Sequence, residues 1–576
     1  MGFPENPAAN SALTNEEERS IYRPVVEFPE CIWKDRIKPL IVDKQEYEKQ
    51  AKEIEMLKEE VRIMLIKVKE AKTSEKLELI DTIERLGISY HFEKEIDELL
   101  EQIYLQNGNN SNAEEDLQND LYATALLFRL LRQHGFNISS DIFRQFLDGM
   151  GEFKESLIND KRGLLSLYQA AYVRTHEGNI LDKAVVFATT HLEHGSQQEM
   201  SPCLAKQVKY ALDQPLHRDV PRLQARHYIS VYEEDEGKNP LLLRFAKLDY
   251  RYLQILHRKE LDELISWRDD LKNCVPKVPY SRDRVVECYF WAMSTFFEPQ
   301  YALCRLTSAK TSVFITLVDD TYDAYGELDE LEAFRNAIES YVAINRFILR
   351  WDVKEADRLP KYMRPIYIGL IKLGDWVDEE LKKRGNSRRY ASAKYIEEWK
   401  QYVRTSYTQS CWFLNRELPT FQEYTEVGLI TSTNYLLTPA SLLFMESYTE
   451  DVFNWLEKNP EIVVAGAKFG RFINDIASHE TERERGATGL ECYARHYNVS
   501  EEEAIKKLEE IVEDGWKDTN EELLRPTAVP RENLMPVLNL SRMVDVTYKH
   551  YLDGYTNPIL VLEPHIVKVL LDLIVV

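Results

Sequence analysis

Apolar residues recur at three- and four-residue intervals along most of the chain, a spacing that predicts amphipathic helices. The pattern runs from Lys44 through YEKQAKEIEMLKEEVRIMLIKV and HFEKEIDELLEQIYLQ, then breaks at the polar stretch NGNNSNAEED (107–116). DLYATALLFRLLRQHGFNIS resumes it until Gly135, a residue suited to a helix C-terminus. Ahead of Lys44, RPVVEFPECIW (23–33) holds prolines that exclude a helix, and residues 1–24 read as a flexible segment. The acidic run with Gly237 and Pro240 in YEEDEGKNP (232–240) predicts a domain boundary. Beyond it the helices are longer and apolar on more sides, as in EIVVAGAKFGRFINDIASHE, so they belong inside a bundle. No strand-rich segment and no fixed-period repeat is visible. The expected fold is all-α: a flexible segment over 1–24, a helical domain over 25–240 and a second over 241–576.

Composition removes some functions. Lys and Arg total 73 against 97 Asp and Glu, a net charge of −24 that argues against nucleic acid or an anionic membrane as partner. Only 21 glycines and 22 prolines in 576 residues favour helix over sheet. Seven scattered cysteines without a CxxC read as reduced thiols. The polar, acidic N-terminus lacks a secretory or transit character. HIVKVLLDLIVV (565–576) is too short to span a bilayer. A cytoplasmic protein without stable membrane insertion is expected.

Against this background TLVDDTYDAYGELDE (316–330) stands out, because an apolar helix ends in Asp319, Asp320 and Asp323. On a helix Asp319 and Asp323 fall within about 40° of each other, so they repel unless a cation lies between them. Mg²⁺ accepts one or two carboxylates and completes its shell with phosphate oxygens and water. In RFINDIASHETERERG (471–486), Asn474, Ser478 and Glu482 form a second oxygen-bearing stripe, with Arg471 one turn earlier on the same face. In YSRDRVVECYFW (280–291), Arg282 and Arg284 precede an aromatic helix, and guanidinium groups bind phosphate in bidentate fashion. Each feature alone has a plain alternative, a solvated acidic stripe or surface arginines. Together they describe a diphosphate held by Mg²⁺ and arginine as a leaving group. Trp291, Tyr548 and Tyr555 are candidates to line the pocket, since aromatic faces stabilise cations without attacking them.

With these residues in view, the chain from about residue 21 onward resembles the plant class I terpene synthases, in particular the cytosolic sesquiterpene cyclases. DDTYD (319–323) is similar to their DDxxD motif, and NDIASHETE (474–482) to their second metal motif. RDR (282–284) is similar to their RxR, VVECYFW and FFEPQY to the text around it, and YLDGY (551–555) to a C-terminal stretch. The resemblance implies a barrel-like helical N-terminal domain and a C-terminal class I terpenoid synthase bundle. It implies Mg²⁺, three ions with Mn²⁺ as an alternative, on Asp319, Asp320 (a supporting acid), Asp323, Asn474, Ser478 and Glu482. Arg282, Arg284 and Arg471 would take diphosphate. Trp291 would stabilise cations or accept the last proton, and Tyr548, Asp553 and Tyr555 would protonate neutral intermediates. The segment around Arg23 would cover the pocket mouth.

The implied activity is ionisation and cyclisation of farnesyl diphosphate by a monomer. Arg23-Pro24, in place of paired arginines, favours that substrate over geranyl diphosphate. Geranyl or geranylgeranyl diphosphate are the alternative substrates. A chain-elongating prenyltransferase, which carries two similar Asp-rich motifs, and a non-catalytic helical binding protein are the rival functions. No DxDD motif is present, which disfavours protonation-initiated cyclisation. Pro439 inside TSTNYLLTPASL (431–442) is expected to reshape the pocket floor by removing a helical hydrogen bond.

Overall fold

The computed structural model describes residues 31–576 except 35, 109–116, 195–199, 275–279, 341, 344–348, 351, 386–388 and 483–487. The segment expected around Arg23 lies outside the described residues. The fold is all-α, as the apolar spacing predicts. A two-residue antiparallel ladder, Val342–Ala343 with Leu349–Arg350, is the exception among the described residues.

Among the described residues, eight α-helices from Lys44–Lys67 to Pro221–Glu234 build the first half. Their starts follow local chemistry: Asp43 accepts the free N–H groups of Gln45 and Glu46, and Asp120 that of Ala123. Their apolar stripes meet in a core containing Ile54, Leu77, Ile80, Leu100 and Leu127.

The turn at 235–239 ends where expected, with Asn239 capping and Pro240 opening a 35-residue helix, Pro240–Cys274. This helix serves both halves. Leu242, Phe245 and Leu248 complete the first core, whereas Leu261 and Leu264 pack with Val285, Tyr289 and Phe290 in the second half. The helix therefore contributes to both cores.

The halves are also joined by a polar seam. Arg218 grips Glu513 with two hydrogen bonds of 2.6 and 2.7 Å, and Arg174 adds a third of 2.7 Å. Burial raises the Glu513 carboxyl, but Arg218 and Arg174 overcome that and hold it down to about 2. His217 bonds Asn520 at 2.7 Å, and Gln214 donates to Asp545 at 3.0 Å. Near the C-terminus, Gln254 donates to the carbonyls of Val569 and Asp572 and accepts from Ile574 N. This places Ile574 inside the first core.

A buried ion pair braces the second half. Arg305, fully buried, gives Glu260 a fork of two bonds at 2.8 and 2.7 Å, while Tyr289 donates to the same carboxylate at 2.8 Å. The remaining Arg305 donors go to the carbonyls of Phe296 and Glu298. Three helices are thereby fixed around the cavity described next.

Candidate active site

The Ala302–Ala324 helix buries Phe314, Val318 and Tyr322 on one side. Its other side presents Ser312, Ile315, Thr316, Asp319 and Asp323, a stripe at helical spacing, to a cavity of about 1000 Å³. Glu461–Glu482 forms a second wall through Gly470, Arg471, Asn474 and Ala477. Trp291 and Cys288 come from the Val285–Thr295 helix, and Tyr548, Asp553 and Tyr555 from the segment after Arg531–Thr547. The volume lies at the upper end of the ~300–1,000 Å³ common for small-molecule sites.

Between the Phe421–Thr431 and Asn434–Leu442 helices the chain breaks at Thr433, whose φ is 73°. A β-branched residue there stores backbone strain of ~1–3 kcal/mol, a cost typical of functional sites. The break turns Ser432 and Thr433 to the cavity. It lies upstream of Pro439, which sits within the following helix and does not line the cavity. Close packing of that helix needs Gly466, since a Cβ there would meet the Asn434 side chain at 2.5 Å.

The positive charge that the aspartate cluster requires comes from Arg282. Its guanidinium lies 2.7 Å from Asp319 and 2.8 Å from Asp320. Burial lowers the Arg282 pKa, but Asp320 and Asp319 more than offset it, so the net direction is up. Asp320 is 1% exposed and also accepts from Ser281 Oγ and Arg282 N. Burial pushes it up to about 6 against the pull of Arg282. Asp320 thus fastens Arg282, while Asp319 and Asp323 face the cavity.

Arg284 goes elsewhere. It is buried, does not line the cavity, and donates to the carbonyls of Tyr555 (3.0 Å) and Thr556 (2.8 Å). It therefore holds the backbone that carries Tyr555. Arg471 does line the cavity, aimed by Gly428 O at 3.0 Å and Thr431 Oγ1 at 2.8 Å. Ser478 is buried and donates to Asn474 O at 2.8 Å. The Glu482 side chain lies outside the described residues.

Sequence reading missed Asp475, masked by its place between Asn474 and Ser478. It is fully buried, accepts from Tyr424 Oη (2.8 Å) and Gly489 N (3.0 Å), and pairs with Arg471 at 3.5 Å. Burial raises its pKa. Asp475→Ala is expected to lower substrate affinity ~10–100-fold, the usual cost of losing an orienting partner. A KM measurement would report it. Thr316, Cys288 and Tyr402, whose hydroxyl lies 3.4 Å from Asp319, were missed for the same reason: each is an ordinary core residue until the fold brings it to the site.

The aromatic candidates also come together. Trp291 and Tyr555 meet edge to face at 6.4 Å, and Asp553 caps the backbone N–H groups of Tyr555 (3.0 Å) and Thr556 (2.9 Å). Burial pushes the Cys288 thiol up to about 12, so it stays neutral.

The donors suit a hard divalent ion. Asp319, Asp323 and Asn474 line the cavity and offer carboxylate and amide oxygens, while Ser478 is buried beside them and does not line it. Among the described residues no three His, Cys, Asp or Glu side chains converge as a closed metal cage.

Residues 32–212 match the description "Terpene synthase, N-terminal domain", and residues 272–518 match "Terpene synthase family, metal binding domain". The chain belongs to the terpene synthase family. Two (-)-5-epieremophilene synthases of Salvia miltiorrhiza are each 47% identical over 554 residues, 96% of this chain and 98% of theirs. Among solved structures, limonene synthase with 2-fluorolinalyl diphosphate is 30% identical with a TM-score of 0.86, covering 96% of this chain and 100% of that one. Isoprene synthase from grey poplar leaves (Populus x canescens), in complex with three Mg²⁺ ions and dimethylallyl-S-thiolodiphosphate, is 32% identical with a TM-score of 0.81, covering 92% and 97%. Among the described residues no helix is long and apolar enough to cross a membrane.

Proposed function

We propose that the chain is a sesquiterpene synthase that ionises farnesyl diphosphate, releases diphosphate and cyclises the remaining cation to a hydrocarbon, acting as a carbon–oxygen lyase. The observation that carries this reading is 47% identity across 96% of the chain to two synthases named for a sesquiterpene. The cavity supports it: charged groups gather on Asp319, Asp323, Arg282 and Arg471, while Trp291, Ile315, Phe413, Leu437 and Val544 supply apolar wall.

Asp319 and Asp323, with Asp320 behind them, and Asn474, Ser478 and Glu482 would hold Mg²⁺. Three ions are the expected number, as in the isoprene synthase complex. Bound Mg²⁺ neutralises charge on the departing diphosphate. Arg282 and Arg471, both held in place by hydrogen bonds, stabilise the same developing charge without reorganising. Apolar and aromatic wall then keeps water from the cation, which a single water would quench to an alcohol. We take the active form to be a monomer, as the resemblance implies. Six described cysteines are free, in keeping with a cytosolic location.

Incubation with geranyl, farnesyl and geranylgeranyl diphosphate, followed by gas chromatography of a solvent overlay, tests the proposal. Cyclic C15 hydrocarbon from farnesyl diphosphate, abolished by EDTA and restored by Mg²⁺, is the expected result. Preference for another chain length would change the substrate, a longer prenyl diphosphate would indicate a transferase, and no turnover of any would remove the enzyme reading.

A further inference from the structure

Along the Ala302–Ala324 helix, hydroxyls at 308, 312 and 316 follow one another at four-residue spacing, and those at 312 and 316 line the cavity. Ser312 Oγ donates to Ser308 O at 2.9 Å, and Thr316 Oγ1 donates to Ser312 O at 3.0 Å. A carbonyl can only accept, so the single hydrogen of the Ser312 hydroxyl and that of the Thr316 hydroxyl are spent on the helix backbone. Thr316 Oγ1 also lies 2.6 Å from Tyr555 Oη. With its own hydrogen committed, Thr316 must accept there, and Tyr555 must donate. The Cys288 thiol, 3.4 Å from Tyr555 Oη, then donates to the phenol oxygen.

We infer that Thr316 is a positioning residue that turns the Tyr555 proton into the helix and leaves the phenol oxygen and ring as acceptors toward the substrate. Tyr555 on this view is an electron-rich wall for positive charge, in contrast to the proton donor implied by the family resemblance. The geometry around it agrees. Arg284 and Asp553 both act on the backbone at 555 and 556 and leave the phenol to Thr316 and Cys288. Trp291 meets the ring in a T-shaped pair, and the Arg282 guanidinium lies 5.7 Å from the ring centroid. Ser312, whose hydrogen is likewise spent, extends the acceptor surface by one helical turn.

The inference rests on the proposed cyclase activity and makes a claim about protons. In Thr316→Val the phenol O–H loses its acceptor and becomes free to protonate a neutral alkene intermediate. The O–H bond breaks, a C–H bond forms, and the electron pair stays on the phenolate. The phenolate regains a proton when the new cation later loses one.

The experiment is turnover of farnesyl diphosphate in D₂O with mass analysis of the products. Wild-type enzyme and Thr316→Ser, which keeps the acceptor, are expected to give the same products. Tyr555→Phe is expected to leave their deuterium content unchanged. Thr316→Val is expected to shift the product ratio roughly fivefold, the size of one lost hydrogen bond. It should also introduce solvent deuterium that disappears in Thr316→Val/Tyr555→Phe. Deuterium in wild-type products that vanishes in Tyr555→Phe would overturn the inference, and this comparison stands even if Thr316→Val does not fold. A Thr316→Val profile identical to wild type would also overturn it while leaving the cyclase intact. No hydrocarbon from the wild type under any substrate would overturn both.

Discussion

Asp319→Ala is expected to lower hydrocarbon formation by at least about 10²–10³-fold, the loss typical of removing one preorganised electrostatic group. The fold should survive. Asp319 is 38% exposed at its side chain and lies one turn from Asp323, so removing it relieves repulsion instead of opening a core cavity. Arg282 keeps Asp320, and with it most of its orientation. Unchanged far-UV circular dichroism, a higher Mg²⁺ requirement for residual turnover and a reduced kcat would together mark a lost ligand. Asp329→Ala, in the same acidic stretch but exposed on the next helix, is the control and should remain within about twofold of wild type, as surface changes do. Near-normal turnover in Asp319→Ala would remove metal binding from this helix.

The second large effect falls on stability. Arg305→Met is expected to destabilise the protein by about 3–5 kcal/mol, because it leaves the Glu260 carboxylate buried without its countercharge. The loss includes both fork bonds and the grip on the Phe296 and Glu298 carbonyls. A lower urea midpoint and reduced soluble yield would be measured. Arg305→Met/Glu260→Leu should recover at least half of the loss, since two apolar side chains avoid desolvating either charge. A double variant no better than the single one would mean that packing at Arg305, and not its charge, holds these helices.

These two residues also show which parts of the molecule are readable in the chain. Asp319 could be found because a helix imposes a four-residue period and the acids violate the apolar pattern around them. Arg305 could not: nothing in ALCRLTSAK marks one arginine as buried, and its partner is 45 residues away. Arg284 makes the same point within a motif. Its spacing from Arg282 suggested a shared phosphate, yet its guanidinium is taken by carbonyls 271 and 272 residues later. Pro240 opens a helix that serves both cores, and which core each turn joins depends on the partners it meets. Pro439, expected to reshape the pocket floor, does not line the cavity; the helix breaks instead at Thr433, where the strain is tertiary and no residue type announces it.

The bonds from Gln254 to Val569, Asp572 and Ile574 have a bearing on how the protein is made. Ile574 fills part of the core that encloses residues 54–250. On a ribosome, that core stays unfinished while some three hundred further residues are added. An excised 1–240 fragment would lack both the first turns of the long helix and this closing side chain. The first half is therefore the earliest to emerge and among the last to be sealed.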